Sequence, residues 1–353
     1  MSEHTGPSIV GLDVGTSRIV AARRNGASAE FGSQLNAFVT IPYSKMIENS
    51  LHRENVGHQI QGDAILIHGN DAPRFADMLN LETRRPMTQG LLNPAEAESV
   101  PVIRQIIDSL IPSGSGLTKV CFSVPAAPLN AGDSLTYHDA TLRQIFSELN
   151  YQVHCINEGM AVVYSELEDT NYTGIGISCG GGLCNVSLSY LSMPTLSFSI
   201  PKAGDFIDQS VAGVTGDLAN RVRISKEQSF YFNGNFADNL QQVLTVYYDD
   251  MIATLISAMQ ESFSDSRKMP KLNRPVPIVL GGGTASPKGF RDRFEKQLHA
   301  SGFPIKISEI RLARDPLTTT ANGALVAGLA EMPDMQEAAP QREVAKSRSS
   351  ASS

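Results

Sequence analysis

Asp13, Gly15, Thr16 and Ser17 lie in the run Val10-Gly11-Leu12-Asp13-Val14-Gly15-Thr16-Ser17-Arg18-Ile19-Val20. Apolar residues on both sides make it a strand, a tight turn and a second strand. Glycine at the tip has no Cβ, so backbone N–H groups there can approach an anion closely, and the two hydroxyls add donors. Asp13, two residues before the tip, is placed to hold a hydrated Mg²⁺. The design recurs in Gly174-Ile175-Gly176-Ile177-Ser178-Cys179-Gly180-Gly181-Gly182-Leu183-Cys184-Asn185-Val186-Ser187-Leu188. A third cluster, Gly281-Gly282-Gly283-Thr284, follows the apolar run Pro277-Ile278-Val279-Leu280. One such tip is an ordinary hairpin, but three after apolar strands point to a ligand that the backbone approaches closely. Two phosphate-holding hairpins facing each other would clamp a triphosphate between two lobes. No G-x-x-x-x-G-K-[ST] or G-x-G-x-x-G run is present, so neither a Walker loop nor a dinucleotide fingerprint accounts for them.

The elements that must position these tips follow from periodicity. Strands are expected at residues 36–41, 64–67, 119–124, 153–156, 195–200, 277–284 and 305–307. Helices are expected from Pro94 through Leu110, at 139–149, from Asn157, after Gly204, at 217–224, 237–263 and 287–298, and from Asp315 onward. The helix from Pro94 should end at Ile111-Pro112 and Gly114. Residues 43–62 are polar and mixed and suggest a small inserted α/β unit. Two strand–glycine–strand runs, each beginning an α/β unit, predict an internal duplication. Glu158, in the first turn of its helix, has a plain reading as a carboxylate that offsets the helix dipole.

The chain has 353 residues, 41% of them hydrophobic, which suits two lobes with a sizeable core. A net charge of −7 with no basic stripe argues against a nucleic-acid partner. The four cysteines lack a C-x-x-C spacing and sit in apolar runs, so they read as reduced core thiols. The seven histidines show no zinc-type cluster. Residues 1–7 lack the apolar stretch of a signal peptide, and no run reaches the roughly 20 apolar residues that span a bilayer, so a cytoplasmic protein is expected. Residues 333–353 are polar and read as a disordered tail.

The order and spacing of these motifs resemble the actin, heat-shock chaperone and sugar kinase superfamily, with the greatest likeness to bacterial MreB-type proteins. The likeness runs over residues 8–330. It implies an α/β, ribonuclease H-like duplicated fold with two lobes around a nucleotide cleft. Lobe I would span 1–157, lobe II 158–314, and a helix at 315–332 would return to lobe I. On this resemblance Gly15, Thr16, Ser17 and Arg18 form the first phosphate loop, and Gly180, Gly181 and Gly182 the second. Asp13 holds Mg²⁺, and Glu158 positions the water that attacks ATP. Gly204 and Asp205 belong to a G-D-x-x-D motif ending at Asp208. Asn220 and Arg223 contact the nucleoside, and Gly281, Gly282, Gly283 and Thr284 form the adenosine loop. The stretch from Arg85 to Gly90 and Asp315 through Thr318 also have counterparts.

Several positions depart from the pattern. Ser178 replaces an acid that helps order Mg²⁺ and water. Leu183 and Cys184 replace threonines, Asn220 replaces Glu, Arg223 replaces Lys, and Gly159 replaces Pro. The short interval from Asp208 to Gly281 leaves little room for a fourth subdomain, and no amphipathic N-terminal helix is visible. The resemblance implies an ATP-binding protein that self-associates into cytoskeletal filaments with slow hydrolysis, with membrane or cell-morphogenesis proteins as further partners. The alternative is a degenerate, non-hydrolysing actin-like scaffold that binds partner proteins. A small-molecule kinase ranks lower, because no Asp is placed as a base for a sugar hydroxyl.

Overall fold

The computed structural model describes residues 9–111, 118–129, 135–232, 238–264 and 270–332. The expected tail at 333–353, the N-terminal residues 1–7, the helix stop at Pro112 and Gly114, and the helix start at Ala237 lie outside the described residues.

In chain order the first half contains β1 (Ile9–Val14), β2 (Arg18–Asn25), β3 (Ser28–Leu35), β4 (Phe38–Pro42), α1 (Lys45–Arg53), β5 (His58–Gln61), β6 (Ala64–His68), α2 (Ala72–Met78), β7 (Met87–Thr88), β8 (Leu91–Leu92), α3 (Ser99–Leu110), β9 (Lys119–Val124), α4 (Leu135–Glu148) and β10 (Gln152–Asn157). The second half contains α5 (Glu158–Glu166), β11 (Gly174–Cys179), β12 (Cys184–Tyr190), β13 (Met193–Ile200), α6 (Gly204–Thr215), α7 (Ala219–Ser229), α8 (Asn239–Phe263), β14 (Val276–Gly281), α9 (Phe290–Ala300), β15 (Ile307–Leu312) and α10 (Thr319–Glu331).

Two five-stranded sheets carry the molecule, in the orders β10-β9-β1-β2-β3 and β13-β12-β11-β14-β15. Their wiring is the same. β1, β2 and β3 pair antiparallel, and β9 and β10 add in parallel on the other side of β1. β11, β12 and β13 pair antiparallel, and β14 and β15 add in parallel beside β11. The expected duplication is therefore present strand by strand. This is the two-lobed actin-like fold that the motifs resemble.

Each sheet is covered on one face by its own helices. Ile103, Ile106 and Ile107 of α3 and Phe146 of α4 pack on Val10 and Leu12 of β1. Leu244, Tyr248, Met251 and Leu255 of α8 pack with Ile207 of α6 and Phe294 of α9 against β11, β12 and β14. The other faces meet at α5 and α10. Ala321 and Leu325 of α10 pack on Val20 and Ala22 of the first sheet. Val162 and Val163 of α5 pack on Val279 of the second. Each of these helices follows the last strand of one sheet and covers the other, so they cross between the lobes. Small residues make the crossing close. A Cβ on Gly323 would fall on the Ala161 backbone, and one on Gly11 would come within 2.7 Å of the Leu325 Cα.

A three-stranded sheet, β4-β6-β5, with α1 and α2 forms the small inserted unit around its own core of Val39, Ile41, Leu51, Ile65 and Ile67. Between α6 and β14 the described residues form only helices.

Two helix starts shift, and two further stretches hold elements that carry little signal of their own. Pro94 does not open α3. Asn93 accepts from the Ala95 amide (3.1 Å) and its carbonyl from Glu96 (3.1 Å), so local bonds hold 93–98 as turns and the helix starts at Ser99. The final helix starts at Thr319, because Asp315 accepts from the amide of Leu317 and the hydroxyl of Thr318 in a turn before it. The polar run 43–62 hides α1 and β5. β3 is an edge strand of mostly part-exposed residues, so it lacks an apolar signal.

Candidate functional site

Between the sheets lies a cavity of about 550 Å³. Its floor is the end of β1, where Asp13 stands, and the start of α5, where Glu158 stands. Gly15, Thr16, Ser17 and Arg18 line it from the first hairpin, and Gly180, Gly181 and Gly182 from the second. Gly204 and Asp205 enter from the N-terminus of α6, Arg223 from α7, and Gly282, Gly283 and Thr284 from the loop after β14. Asn220 and Gly281 do not line it. Asn220 instead accepts a 2.7 Å bond from Arg223 Nη2. Gly281 closes β14, where a Cβ would come within 2.6 Å of Thr319 Cγ2.

The two hairpins close alike. The Gly15 amide donates to the Arg18 carbonyl (3.0 Å), and the Gly180 amide to the Leu183 carbonyl (2.9 Å). Gly15 and Gly180 are thus already bonded within their turns, so they serve the turn and not an anion. The amides that take no acceptor among the described residues are those of Thr16, Ser17, Gly181 and Gly182. These sit at the tips, as a phosphate cradle requires.

The tips touch across the cleft. The Gly90 amide donates to Thr16 Oγ1 (3.1 Å), and Gly182 packs against both. Thr284 Oγ1 donates to the Gly180 carbonyl (2.7 Å), which ties the third glycine loop to the second. The amides of Gly204 and Asp205 donate to the carbonyls of Gly180 and Gly181 (3.1 and 2.7 Å), which docks the start of α6 beneath the same loop.

The floor is a pair of carboxyls. Asp13 Oδ1 accepts from Ser123 Oγ (2.7 Å). Glu158 Oε2 accepts from Asn185 Nδ2 (2.8 Å) and, at 3.4 Å, from Ser178 Oγ. Burial pushes Asp13 up to about 6, against the bond from Ser123. Burial first, and then the charge of Asp13, push Glu158 up to about 8, against the bonds from Ser178 and Asn185. At neutral pH Glu158 therefore stands mainly as the acid beside an ionised Asp13. Asn185 is held for this contact, since its Oδ1 accepts from the Ala126 amide (2.8 Å). Asn157 caps α5 through the Gly159 amide (2.9 Å) and also receives the Ser187 hydroxyl (2.7 Å). A Cβ at Gly159 would lie 2.7 Å from the Ser187 amide nitrogen, so glycine lets α5 lie this close to β12.

Asp205 lines the same cavity as Ser178. Its Oδ1 is bound to Arg85 Nη1 at 2.6 Å, from the loop before β7, so the pair bridges the lobes. Arg18 and Glu227 face each other across the cleft at 3.9 Å. Deeper in, Lys226 pairs with Asp208 at 2.7 Å and donates to the Gly204 carbonyl (3.0 Å), with both side chains nearly fully buried. Asn185, Ser123, Lys226 and Glu227 were not singled out from the sequence, and Arg85 was named only as part of a stretch with a family counterpart, without a role. Asn185, Ser187 and Ser189 did carry a signal, for they alternate as buried polar residues on an otherwise apolar strand.

Arg85→Ala would leave the Asp205 carboxylate without its counter-charge beside the two hairpin tips. We expect it to speed release of a fluorescent ATP analogue about tenfold in stopped-flow, in line with roughly 1.4 kcal/mol for a part-buried bridge. Unchanged release would show that the bridge does not act on the cleft.

A family model described as Volactin matches residues 9–328. This chain belongs to the Volactin family. No curated protein matches it closely enough to count as a relative. Among solved structures this Volactin protein is similar to one described as a MamK double helical filament. They are 17% identical, with a TM-score of 0.70, over 91% of this chain and 98% of that one. It is also similar to a non-polymerising MamK mutant bound to AMPPNP, at 16% identity and a TM-score of 0.55, over 91% and 98% of the two chains. The ethanolamine utilization protein EutJ from Carboxydothermus hydrogenoformans aligns at 15% identity and a TM-score of 0.55, over 92% and 91%. These likenesses carry the actin-like fold. The MreB-type likeness of the motifs is a narrower reading that the Volactin match does not carry. Among the described residues no helix is long and apolar enough to cross a membrane.

Proposed function

We propose that this Volactin protein binds ATP with Mg²⁺ in the cleft and self-associates into filaments in a nucleotide-dependent way. The observation that carries the reading is the pair of hairpin tips. Built alike in two duplicated sheets, they meet across one cavity lined by Thr16, Ser17, Gly181 and Gly182, whose amides take no acceptor among the described residues. The MamK structures, one a filament and one bound to AMPPNP, support it through the shared fold.

The residues suit Mg²⁺ held through water. Ser123 bonds only one Asp13 oxygen, which leaves Oδ2 for a water ligand. Among the described residues no group of three or more His, Cys, Asp or Glu side chains is built to hold an ion by itself. Water and phosphate oxygens would complete the shell, as is usual for Mg²⁺. When bound, the ion would neutralise phosphate charge. Glu158 would orient the water beside the γ-phosphate through its second oxygen, while Asn185 fixes the first. Lobe I (1–157), lobe II (158–314) and the returning helix (315–332) would move about the α5–α10 crossing. A cytoplasmic protein with membrane or cell-morphogenesis partners fits this reading.

A second reading, a scaffold that binds nucleotide without turnover, is favoured by one feature. Burial and the charge of Asp13, against the bond from Ser178, hold Glu158 largely protonated, so it does not take a proton from water at neutral pH.

Ultracentrifugation with Mg-ATP, Mg-ADP and no nucleotide tests the proposal. Protein is expected to move to the pellet with Mg-ATP. Protein that binds ATP yet stays soluble in all three conditions supports the scaffold and removes the filament.

A further inference from the structure

The cavity continues behind the N-terminus of α6 into a recess between α6, α7 and α8. Asp208, Arg223, Lys226, Phe230 and Tyr248 close it, and each is at most 6% exposed. Tyr248 is fully buried. Its ring lies flat on Phe230, with centroids 4.9 Å apart and planes 4° apart, and meets the edges of Phe232 and Phe290. A phenylalanine would satisfy all of these contacts. The hydroxyl is what packing leaves unexplained, because Tyr248 Oη has no hydrogen-bond partner among the described residues. Arg223, on the neighbouring helix, donates through Nη2 to Asn220 but leaves Nε without a partner. Native interiors seldom leave two such donors unmade beside one cavity, and a ligand atom is one thing that completes them.

Arg223 Nε can only donate and Tyr248 Oη can donate, so one acceptor atom completes both. The phosphate-holding amides lie at the hairpin tips, whereas this recess is walled by α7, α8 and the aromatic stack. An aromatic wall with a few fixed polar groups suits a nucleoside better than a phosphate chain. We propose that Tyr248 is a specificity contact, donating from Oη to an acceptor atom on the nucleoside half of the bound nucleotide, with Arg223 Nε beside it. The inference rests on the nucleotide reading above. It adds a contact from α8, an element that carries none of the glycine motifs.

Tyr248→Phe in the full chain separates this role from a structural one. In the absence of ligand its melting temperature should equal or exceed that of the wild type, since the change removes a buried hydroxyl that has no partner. With Mg²⁺ present, its affinity for ATP by calorimetry should fall about 3- to 10-fold, the value of one net hydrogen bond, while affinity for inorganic tripolyphosphate stays the same. Unchanged ATP affinity overturns the assignment. So does an equal loss for ATP and tripolyphosphate, or a lower melting temperature with ATP affinity intact, which would mark the hydroxyl as bridged by a structural water. A wild type that binds neither probe overturns the nucleotide reading itself and this contact with it. A wild type that binds both, beside a variant that matches it, overturns only Tyr248.

Discussion

Gly182→Ala is expected to weaken ATP binding on the order of 100-fold or more, about 3 kcal/mol, while both lobes stay folded. A Cβ at this position would fall on the Gly90 amide nitrogen, 2.5 Å from Thr16 Oγ1 and 2.8 Å from the Gln89 carbonyl carbon. Two of the three atoms are backbone, so no rotamer change relieves the overlap, and packed interiors do not yield to it. The overlap lies between the lobes and not inside either core. The damage should therefore appear as failure to bring the two tips together, with a melting temperature close to that of the wild type. Gly181→Ala is the control. Its nearest obstacle is the Ser17 hydroxyl, the end of a short side chain that can turn away, so a much smaller loss is expected. ATP binding by Gly182→Ala at wild-type strength, measured by calorimetry, would mean that the tips do not close on the ligand as they close here.

Glu158→Gln should act on both turnover and stability, and the effect on stability depends on pH. Burial and the neighbouring Asp13 hold Glu158 up to about 8, well above the ordinary range of a free glutamate. The folded protein thus binds a proton that the unfolded chain releases near 4.5. Because the folded state binds more protons across that interval, stability falls as pH rises from about 4.5 through about 8 and levels off above it. Asp13, pushed up to about 6, adds a fall of the same sign between about 4 and 6. Glutamine keeps the shape and cannot ionise. The variant should match the wild type near pH 5 and exceed it near pH 8.5 by on the order of 2 kcal/mol, read from denaturant midpoints. Equal stability at both values would show that Glu158 is not buried beside a charge as described. If the protein hydrolyses ATP, the same change should lower the rate by roughly 10² to 10⁴, the usual worth of a positioned acid or base.

Much of the architecture is legible in local chemistry. The run from Val10 to Val20 specifies its own hairpin, because two apolar runs joined by a glycine tip need no distant partner to pair. The run from Gly174 to Leu188 does the same, and the two tips proved to close with the same amide-to-carbonyl bond. Helix and strand ends were less legible. Pro94 looked like a helix start, but Asn93 formed a turn that competes with it. The amphipathic α1 was hidden in a polar stretch, because only Ile47 and Leu51 of its nine residues pack into the core of the small sheet.

By itself the sequence determined that two strand–glycine–strand units recur and that Asp13, Glu158 and three glycine clusters stand at the ends of elements. Each of these is a matter of residue type and short spacing. The tertiary structure decided which groups meet. It put Arg85 on Asp205, Asn185 on Glu158, Lys226 on Asp208 and Tyr248 at the back of the cavity, across separations from 18 to 120 residues where the bonds are recorded. It also took Gly15 and Gly180 out of the set of free donors and moved Asn220 off the cavity wall. The reason is physical. A hairpin or a cap is settled by torsions and bonds among neighbours. The partner of a charge, the burial that shifts a carboxyl, and the donor left without an acceptor depend on how two lobes pack around one crossing of α5 and α10.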